Sequence, residues 1–388
     1  MIYDEFEREL EELRAKGLSR SLPVLSPDLI NLSSNDYLGL SRHPDVIAAA
    51  QAATQRLGTG GTSSRLLAGT ADVHSRLEAD LATFLGKERA LVFSSGYHAN
   101  TGILPALFGA SDFIVFDRLS HASIIDGVRL SGASFAPFAH NDAADLDKIL
   151  TRKRKGKRRA VVVSEGYFSM DGDRPPLRQI CDTARRHDAM VYLDEAHSLG
   201  LVGPNGKGIA IEDGLLDAID FHVGTLSKSL GSQGGFVAGR MLMIDLLITR
   251  SRSFLFTTAL APGCAAAASE ALSLVPRVKD RRERVNADAA ELRERLRAAG
   301  YDTLASVSPI VPVWTGNVSA TQRLSGHLLK KGFFVPSIRP PTVSPGEGRV
   351  RISVTYREDR RWLNDLLAAF ESYGERPQKE GVRIVQAG

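Results

Sequence analysis

Apolar and polar positions along the chain alternate between two rhythms. HPDVIAAAQAATQRLG (43–58) and VHSRLEADLATFLG (73–86) repeat apolar residues at helical spacing, and the second closes on Gly86, a C-cap signal. Between such segments lie short runs that are apolar almost throughout: RALVF (89–93), DFIVFD (112–117), RAVVVSEG (159–166), AMVYLDEA (189–196) and DFHVGTLS (220–227). Runs of that kind are expected of strands buried on both faces, and their alternation with helices such as PPLRQICDTARRH (175–187) predicts a mostly parallel sheet covered by helices. The texture changes after residue 268. RVKDRRERVNADAAELRERLRAAG (277–300) predicts a long charged helix, and strand signals in PIVPVWTG and GRVRISVTY alternate with the helical QRLSGHLLKKG and DRRWLNDLLAAF. Three regions follow: an N-terminal helix and arm over 1–40, a large α/β domain over 41–268 and a small α+β domain over 269–388.

Composition refines this picture a little. The chain has 388 residues, 43% hydrophobic and 24% charged, enough for a large core. Its net charge of +4 gives no support to a nucleic-acid protein and only weak support to an anionic small-molecule ligand. Cys181 and Cys264 are far apart and read as small hydrophobes in a reducing compartment, with no disulfide framework and no metal site. The N-terminal MIYDEFERELEELRAKGLSR is a charged amphipathic helix without the apolar centre of a signal peptide. With no apolar run of the roughly 18 residues a membrane span needs, a cytoplasmic location is expected. The basic run RKRKGKRR (152–159) has no aromatic interleaving and reads as a solvated surface loop, not a nucleic-acid patch.

Ligands of open α/β sheets sit beyond the carboxyl ends of the strands, so the residues after each apolar run carry the candidate chemistry. Ser94-Ser95-Gly96-Tyr97 opens a helix whose N–H groups and dipole make a phosphate site. RLSHAS places His121 in a polar loop, YFSMDGD supplies Ser169 and Asp171, and DEAHSLG puts Asp194 at a strand end with His197 three residues on. Lys228 follows Thr225 and Ser227. Each of these alone has a plain structural reading, as a helix cap, a satisfied polar side chain or a surface lysine. Converging on one rim, they form the set a pyridoxal phosphate (PLP) site needs: an amine for a Schiff base, a carboxylate for the pyridinium nitrogen, and donors for phosphate and phenolic oxygen. A nicotinamide dehydrogenase is disfavoured, since no strand leads into G-x-G-x-x-G.

Six segments in this order resemble the α-oxoamine synthases, a family of fold-type I PLP enzymes: NDYLGL (35–40), DRLSHASIIDG (117–127), EGYFSMDGD (165–173), DEAHSLGLVGPNGKG (194–208), GTLSKSLGSQGG (224–235) and IRPPTV (338–343). The resemblance runs from about Gly17 to about Phe370. It implies the fold-type I architecture, a mostly parallel sheet with a smaller C-terminal α+β domain. It also implies a decarboxylative condensation of an amino acid with an acyl-CoA or acyl carrier protein thioester, giving an amino ketone, CO2 and a free thiol. GLSR (17–20), NDYLGL and IRPPTVSPGEGRVRIS (338–353) match a branch that takes L-alanine and a pimeloyl thioester, whereas the surroundings of Lys228 match a long-chain branch equally well.

The resemblance also implies residue roles. Lys228 holds the cofactor and exchanges the proton at the substrate α-carbon, Asp194 pairs with the ring nitrogen, and His197 and Ser169 face the phenolic oxygen. His121 stacks on the ring and meets the substrate. Gly96, Tyr97 and Thr225 bind the phosphate, joined by Thr257 or Thr258 from the partner subunit of a homodimer with shared active sites. Asn35 and Arg339 bind the amino-acid carboxylate, Arg20 and Thr342 contact substrate, and GTGGTSSR (58–65) lines the acyl-chain entrance. The other classes open to this chain are a fold-type I aminotransferase and a non-enzymatic binding protein that has kept the fold.

Overall fold

The computed structural model describes residues 2–377 and divides into two compact units. The larger comprises Asn35–Ser169 and Arg174–Arg284. The other comprises the chain up to Ser34, the short segment Met170–Asp173 and the chain from Val285 on. The division thus falls inside the long charged helix Lys279–Ala298, not at residue 268, and the N-terminal arm is grouped with C-terminal residues.

The larger unit is built on a seven-stranded sheet: β1 (Arg89–Phe93), β2 (Phe113–Asp117), β3 (Ser134–Phe138), β4 (Ala160–Glu165), β5 (Met190–Asp194), β6 (Phe221–Thr225) and β7 (Gly235–Gly239), in the order β1-β7-β6-β5-β4-β2-β3. All neighbours pair in parallel except β7, which runs antiparallel to β6 and β1. The apolar runs are buried on both faces, as their composition predicts. Ile114, Phe116, Val161 and Val163 join one hydrophobic cluster, with Ile103 and Leu104 of the helix Gly96–Leu107. Their neighbours Phe113, Val115, Ala160 and Val162 join the other, with Ile180 and Ala184 of the helix Leu177–Arg186. This strict alternation is the two-residue period of a pleated strand, and each full burial of such an aliphatic or aromatic side chain contributes about 1.5–3 kcal/mol.

Two strands escape the sequence pattern. β3 is SFAPF, an edge strand containing Pro137, and β7 is GFVAG, whose leading glycines read as turn. Edge position is what lets a strand keep a proline. β7 has another role. It folds straight back on β6, with Thr225 opposite Gly235, so residues 226–234 form a closed loop and Lys228 sits at its turn. Backbone bonds Leu226 N–H to Gly234 O (3.0 Å), Ser232 N–H to Leu226 O (2.9 Å) and Gly231 N–H to Lys228 O (2.9 Å) hold that loop.

The basic run is more than a solvated loop. Arg158 makes a two-pronged ion pair with Asp112 (3.0 and 2.7 Å), a carboxylate with no exposure, and Arg154 donates to the carbonyls of His187 (3.1 Å) and Lys157 (2.7 Å). Both cysteines are free thiols. Cys181 is buried, and burial pushes its thiol up to about 11.

The smaller unit holds an antiparallel sheet of β8 (Ile310–Gly316), β9 (Ser337–Ile338) and β10 (Gly348–Ser353) in the order β9-β10-β8. The helices Val318–Lys330 and Arg361–Glu371 belong to it. Ile30–Asn31 pairs in parallel with Phe333–Phe334.

Candidate active site

The carboxyl ends of β1, β2, β4, β5 and β6 share one edge of the sheet, and the loops leaving them surround a cavity of about 230 Å³. Gly96, Tyr97, His121, Asp194, His197, Thr225 and Lys228 all line it. Seven of the residues singled out from the sequence are therefore brought together by the strand ends and the loops that leave them.

At the β1 exit, Ser95 caps the helix Gly96–Leu107, its Oγ accepting from the N–H of His98 (3.1 Å). The first N–H groups of a helix have no partner within it, so those of Gly96 and Tyr97 and the positive dipole end are left for an anion. Thr225 closes the cradle. Its hydroxyl donates to Gly234 O (2.8 Å) and lies 2.8 Å from Ser227 Oγ. A Cβ on Gly96 would come within 3.3 Å of Thr225, and one on Gly235 within 2.5 Å of Ser95 O. Glycine at these two positions lets β6, β7 and the helix start converge on a pocket of backbone donors.

On β5, Asp194 is only 8% exposed. Its Oδ1 accepts from Ala196 N–H (2.9 Å) and its Oδ2 from Asn100 Nδ2 (2.9 Å). Lys228 Nζ lies 2.7 Å from His197 Nε2, and His197 Nδ1 lies 2.8 Å from the Tyr37 hydroxyl, which donates on to Asn35 Oδ1 (3.3 Å). His121 Nδ1 is 2.7 Å from Ser123 Oγ, and its backbone N–H donates to Glu165 Oε1. Burial and the adjacent Lys228 hold the His121 ring below its ordinary value. Glu165, at the end of β4 and paired in register with Asp194, is fully enclosed. Burial first, and then the neighbouring Asp194, push its carboxyl well above the usual range.

The remaining expected residues lie elsewhere. Ser169 is not among the residues lining the cavity. Asn35 is two hydrogen bonds from Lys228's partner His197, through Tyr37. Thr258 forms an isolated bridge with Ser64, and Ala259 N–H donates to Ser63 O (2.9 Å), so the TT segment and the GTGGTSSR loop are tied to each other. That loop is anchored, not slack: Arg65 makes a bidentate pair with Glu78 (3.0 and 3.1 Å). In the smaller unit, Arg20, Arg339 and Thr342 gather at one turn. Arg339 donates to Gly17 O and Ser19 O (3.0 Å), Arg20 to Arg339 O (3.3 Å) and Pro340 O (3.2 Å), and Thr342 N–H to Arg339 O (3.1 Å).

The sequence reading missed Asn100, Ser123, Glu165, Tyr192 and Tyr37. Glu165 had a signal: it ends an apolar strand just as Asp194 does. Asn100 had none, since a polar residue one helical turn after a phosphate-binding start resembles any exposed helix position.

The donor set fits PLP. A nest of N–H groups with a hydroxyl suits a phosphate, a carboxylate at a strand end suits a ring nitrogen, and an amine lies in the same cavity. Comparison with known proteins agrees. The model of the family aminotransferase class I and II matches residues 27–365. The curated 8-amino-7-oxononanoate synthase of Anaeromyxobacter dehalogenans is 44% identical over 372 residues, 93% of this chain and 93% of that protein. A solved structure of SPT (serine palmitoyltransferase) with PLP is 35% identical with a TM-score of 0.89, covering 96% of this chain and 97% of its own. The 8-amino-7-oxononanoate synthase of Francisella tularensis is 27% identical with a TM-score of 0.77, covering 90% of this chain and 97% of its own.

Proposed function

The chain belongs to the aminotransferase class I and II family, and from that premise we propose that it is a PLP-dependent acyltransferase. In this reading it condenses L-alanine with a pimeloyl thioester to give 8-amino-7-oxononanoate, CO2 and the free thiol, a step of biotin synthesis. The observation that carries the reading is the placement of Lys228 and Asp194 on one cavity with the Gly96–Tyr97–Thr225 cradle. When bound, PLP supplies an aldehyde that condenses with amines and a protonated ring that takes up the electron pair left on the amino acid's α-carbon.

The chain's own groups do the rest. Lys228 Nζ would hold the cofactor and, when free, would take the proton from the substrate α-carbon. A lysine can act as a base only when deprotonated, and His197 Nε2 lies 2.7 Å from its Nζ. Asp194, held at both oxygens, keeps a proton on the ring nitrogen. The Gly96 and Tyr97 N–H groups and Thr225 would hold the phosphate. In this reading His121 would lie against the ring, and Ser169 and His197 would serve the phenolic oxygen. Asn35, Arg339, Arg20 and Thr342 bind the amino acid and the acyl substrate.

We infer further that two copies share their sites, Thr257 or Thr258 reaching the partner's phosphate. Leu67 and Phe256, 82% and 72% exposed beside the Thr258–Ser64 bridge, support an interface there. A cytoplasmic location is in keeping with two free thiols, and no helix among the described residues is long and apolar enough to cross a membrane. A second reading keeps the chemistry and changes the substrates. The match to SPT with PLP, at 35% identity against 27% for the Francisella structure, favours an assay with L-serine and palmitoyl thioester beside L-alanine and pimeloyl thioester.

Lys228→Ala tests the assignment. The variant is expected to lose both the visible absorbance of lysine-bound PLP and all thiol release. Product formation by a folded Lys228→Ala protein would refute it.

A further inference from the structure

One amide uses its carbonyl oxygen and both of its N–H hydrogens inside the site. Asn100, on the helix Gly96–Leu107, is 2% exposed. Its Oδ1 accepts from the Tyr192 hydroxyl, and its two Nδ2 hydrogens go to Asp194 Oδ2 (2.9 Å) and Ser123 Oγ (2.9 Å). The orientation is forced. Turned over, the amide would set its oxygen against the acceptor-only Asp194 carboxylate and leave the buried Tyr192 hydrogen facing an N–H group.

The direction of the next bond follows. The Ser123 oxygen receives a hydrogen from Asn100, so its own hydrogen is left to give, and His121 Nδ1 lies 2.7 Å away. The backbone N–H of Ser123 points at the same nitrogen from 3.2 Å. A ring nitrogen approached by two donors is an acceptor. The hydrogen of the neutral imidazole therefore sits on Nε2.

We propose that Asn100 is a positioning residue that, through Ser123, sets His121 as the Nε2–H tautomer while it holds the Asp194 carboxylate in place. One buried amide thereby fixes an acceptor and a donor on the same cavity. The groups facing His121 agree with a neutral ring: burial and Lys228 disfavour its charged form, against the opposite pull of Asp194 and Asp126, and Glu165 meets only its backbone N–H. The use of the donor rests on the proposed reaction, in which an Nε2–H can meet a substrate oxygen. The wiring itself rests on geometry alone.

The test reads the tautomer, not turnover. The purified full chain is labelled with 15N-histidine, and long-range 1H–15N correlations at neutral pH give the state of each ring, His121 being assigned by the peaks lost in His121→Gln. The wild type is expected to show the Nε2–H form. Asn100→Leu frees the Ser123 hydroxyl, and Ser123→Ala removes it, while the backbone N–H of residue 123 still faces His121 Nδ1, so each is expected to keep Nε2–H as the major form but to show an Nδ1–H minority absent from the wild type, with native circular dichroism. An Nδ1–H or doubly protonated His121 in the wild type, or a wild-type pattern in a folded variant, overturns the proposal. Should Asn100→Leu fail to fold, Ser123→Ala, which loses a single oxygen atom, decides. Because no substrate is present, failure here leaves the condensation reaction standing.

Discussion

A single methyl group on Gly235 tests whether the convergence of β7 on the helix start builds the phosphate cradle. The backbone of Gly235 is not in the left-handed region, so alanine is conformationally acceptable there and the perturbation is purely steric. The added Cβ would lie 2.5 Å from Ser95 O and 2.6 Å from the Gly96 nitrogen and Cα, whereas ordinary contact begins at 3.4 Å. The strand and the helix start must therefore part by about 0.9 Å, since the atoms in the way are backbone and cannot swing aside. Overpacking of this kind costs about 1–3 kcal/mol. The displaced groups are the N–H donors of Gly96 and Tyr97, so the same shift reaches PLP binding, and a loss of about tenfold in affinity corresponds to roughly 1.4 kcal/mol. The assay is a titration of PLP into apoprotein followed by absorbance, with a thermal melt alongside. Gly109→Ala is the control, since nothing lies within 4 Å of its Cβ. It should bind PLP as the wild type does. A Gly235→Ala protein with unchanged PLP affinity and an unchanged melt would refute the reasoning.

Further expectations follow from the same geometry. Glu165 titrates higher in the folded chain than the ordinary glutamate value of 4.5, so the folded state holds its proton more tightly. Its contribution to stability is full below that ordinary value and is lost as pH rises toward the folded one. Glu165→Gln keeps the acceptor for the His121 N–H and cannot ionise. Urea unfolding should therefore show its stability relative to wild type improving from about pH 5 to about pH 8, and a constant difference would contradict the buried neutral acid. Arg158→Ala strands the buried Asp112 and should lower the thermal midpoint without changing kcat or KM, whereas Lys155→Ala should do neither. Equal effects of the two would mean that the basic run has no structural anchor. Asp194→Asn should retain PLP but abolish α-proton exchange with solvent in L-alanine, measured by deuterium incorporation. Wild-type exchange would remove Asp194 from its role.

How much of this was legible in the sequence depends on the length scale involved. Buried parallel strands announce themselves as apolar runs, and the residue closing each run falls on the ligand edge by topology, which is why Asp194, Thr225 and the Ser95–Gly96 turn could be placed without coordinates. β3 and β7 were hidden because Pro137 and the glycines 234 and 235 carry turn chemistry in one context and edge or close-packing chemistry in another. The glycines after Lys228 looked like room for the backbone to bend. In the fold Gly235 instead begins a strand pressed against Ser95. Partners of the site residues were the least legible part. The Lys228–His197–Tyr37 line and the Tyr192–Asn100–Ser123–His121 network join residues from several separate segments, and only register and helix phase bring them within hydrogen-bond reach.

The central claim is that these residues drive a condensation with an acyl thioester and not a reaction of the amino acid alone. The most direct measurement is mass spectrometry of the products when the PLP-loaded protein receives L-alanine with and without pimeloyl-CoA. The account predicts 8-amino-7-oxononanoate, one CO2 and one free thiol per turnover, and no product without the thioester. Pyruvate formed from L-alanine, with no dependence on the thioester, would contradict it.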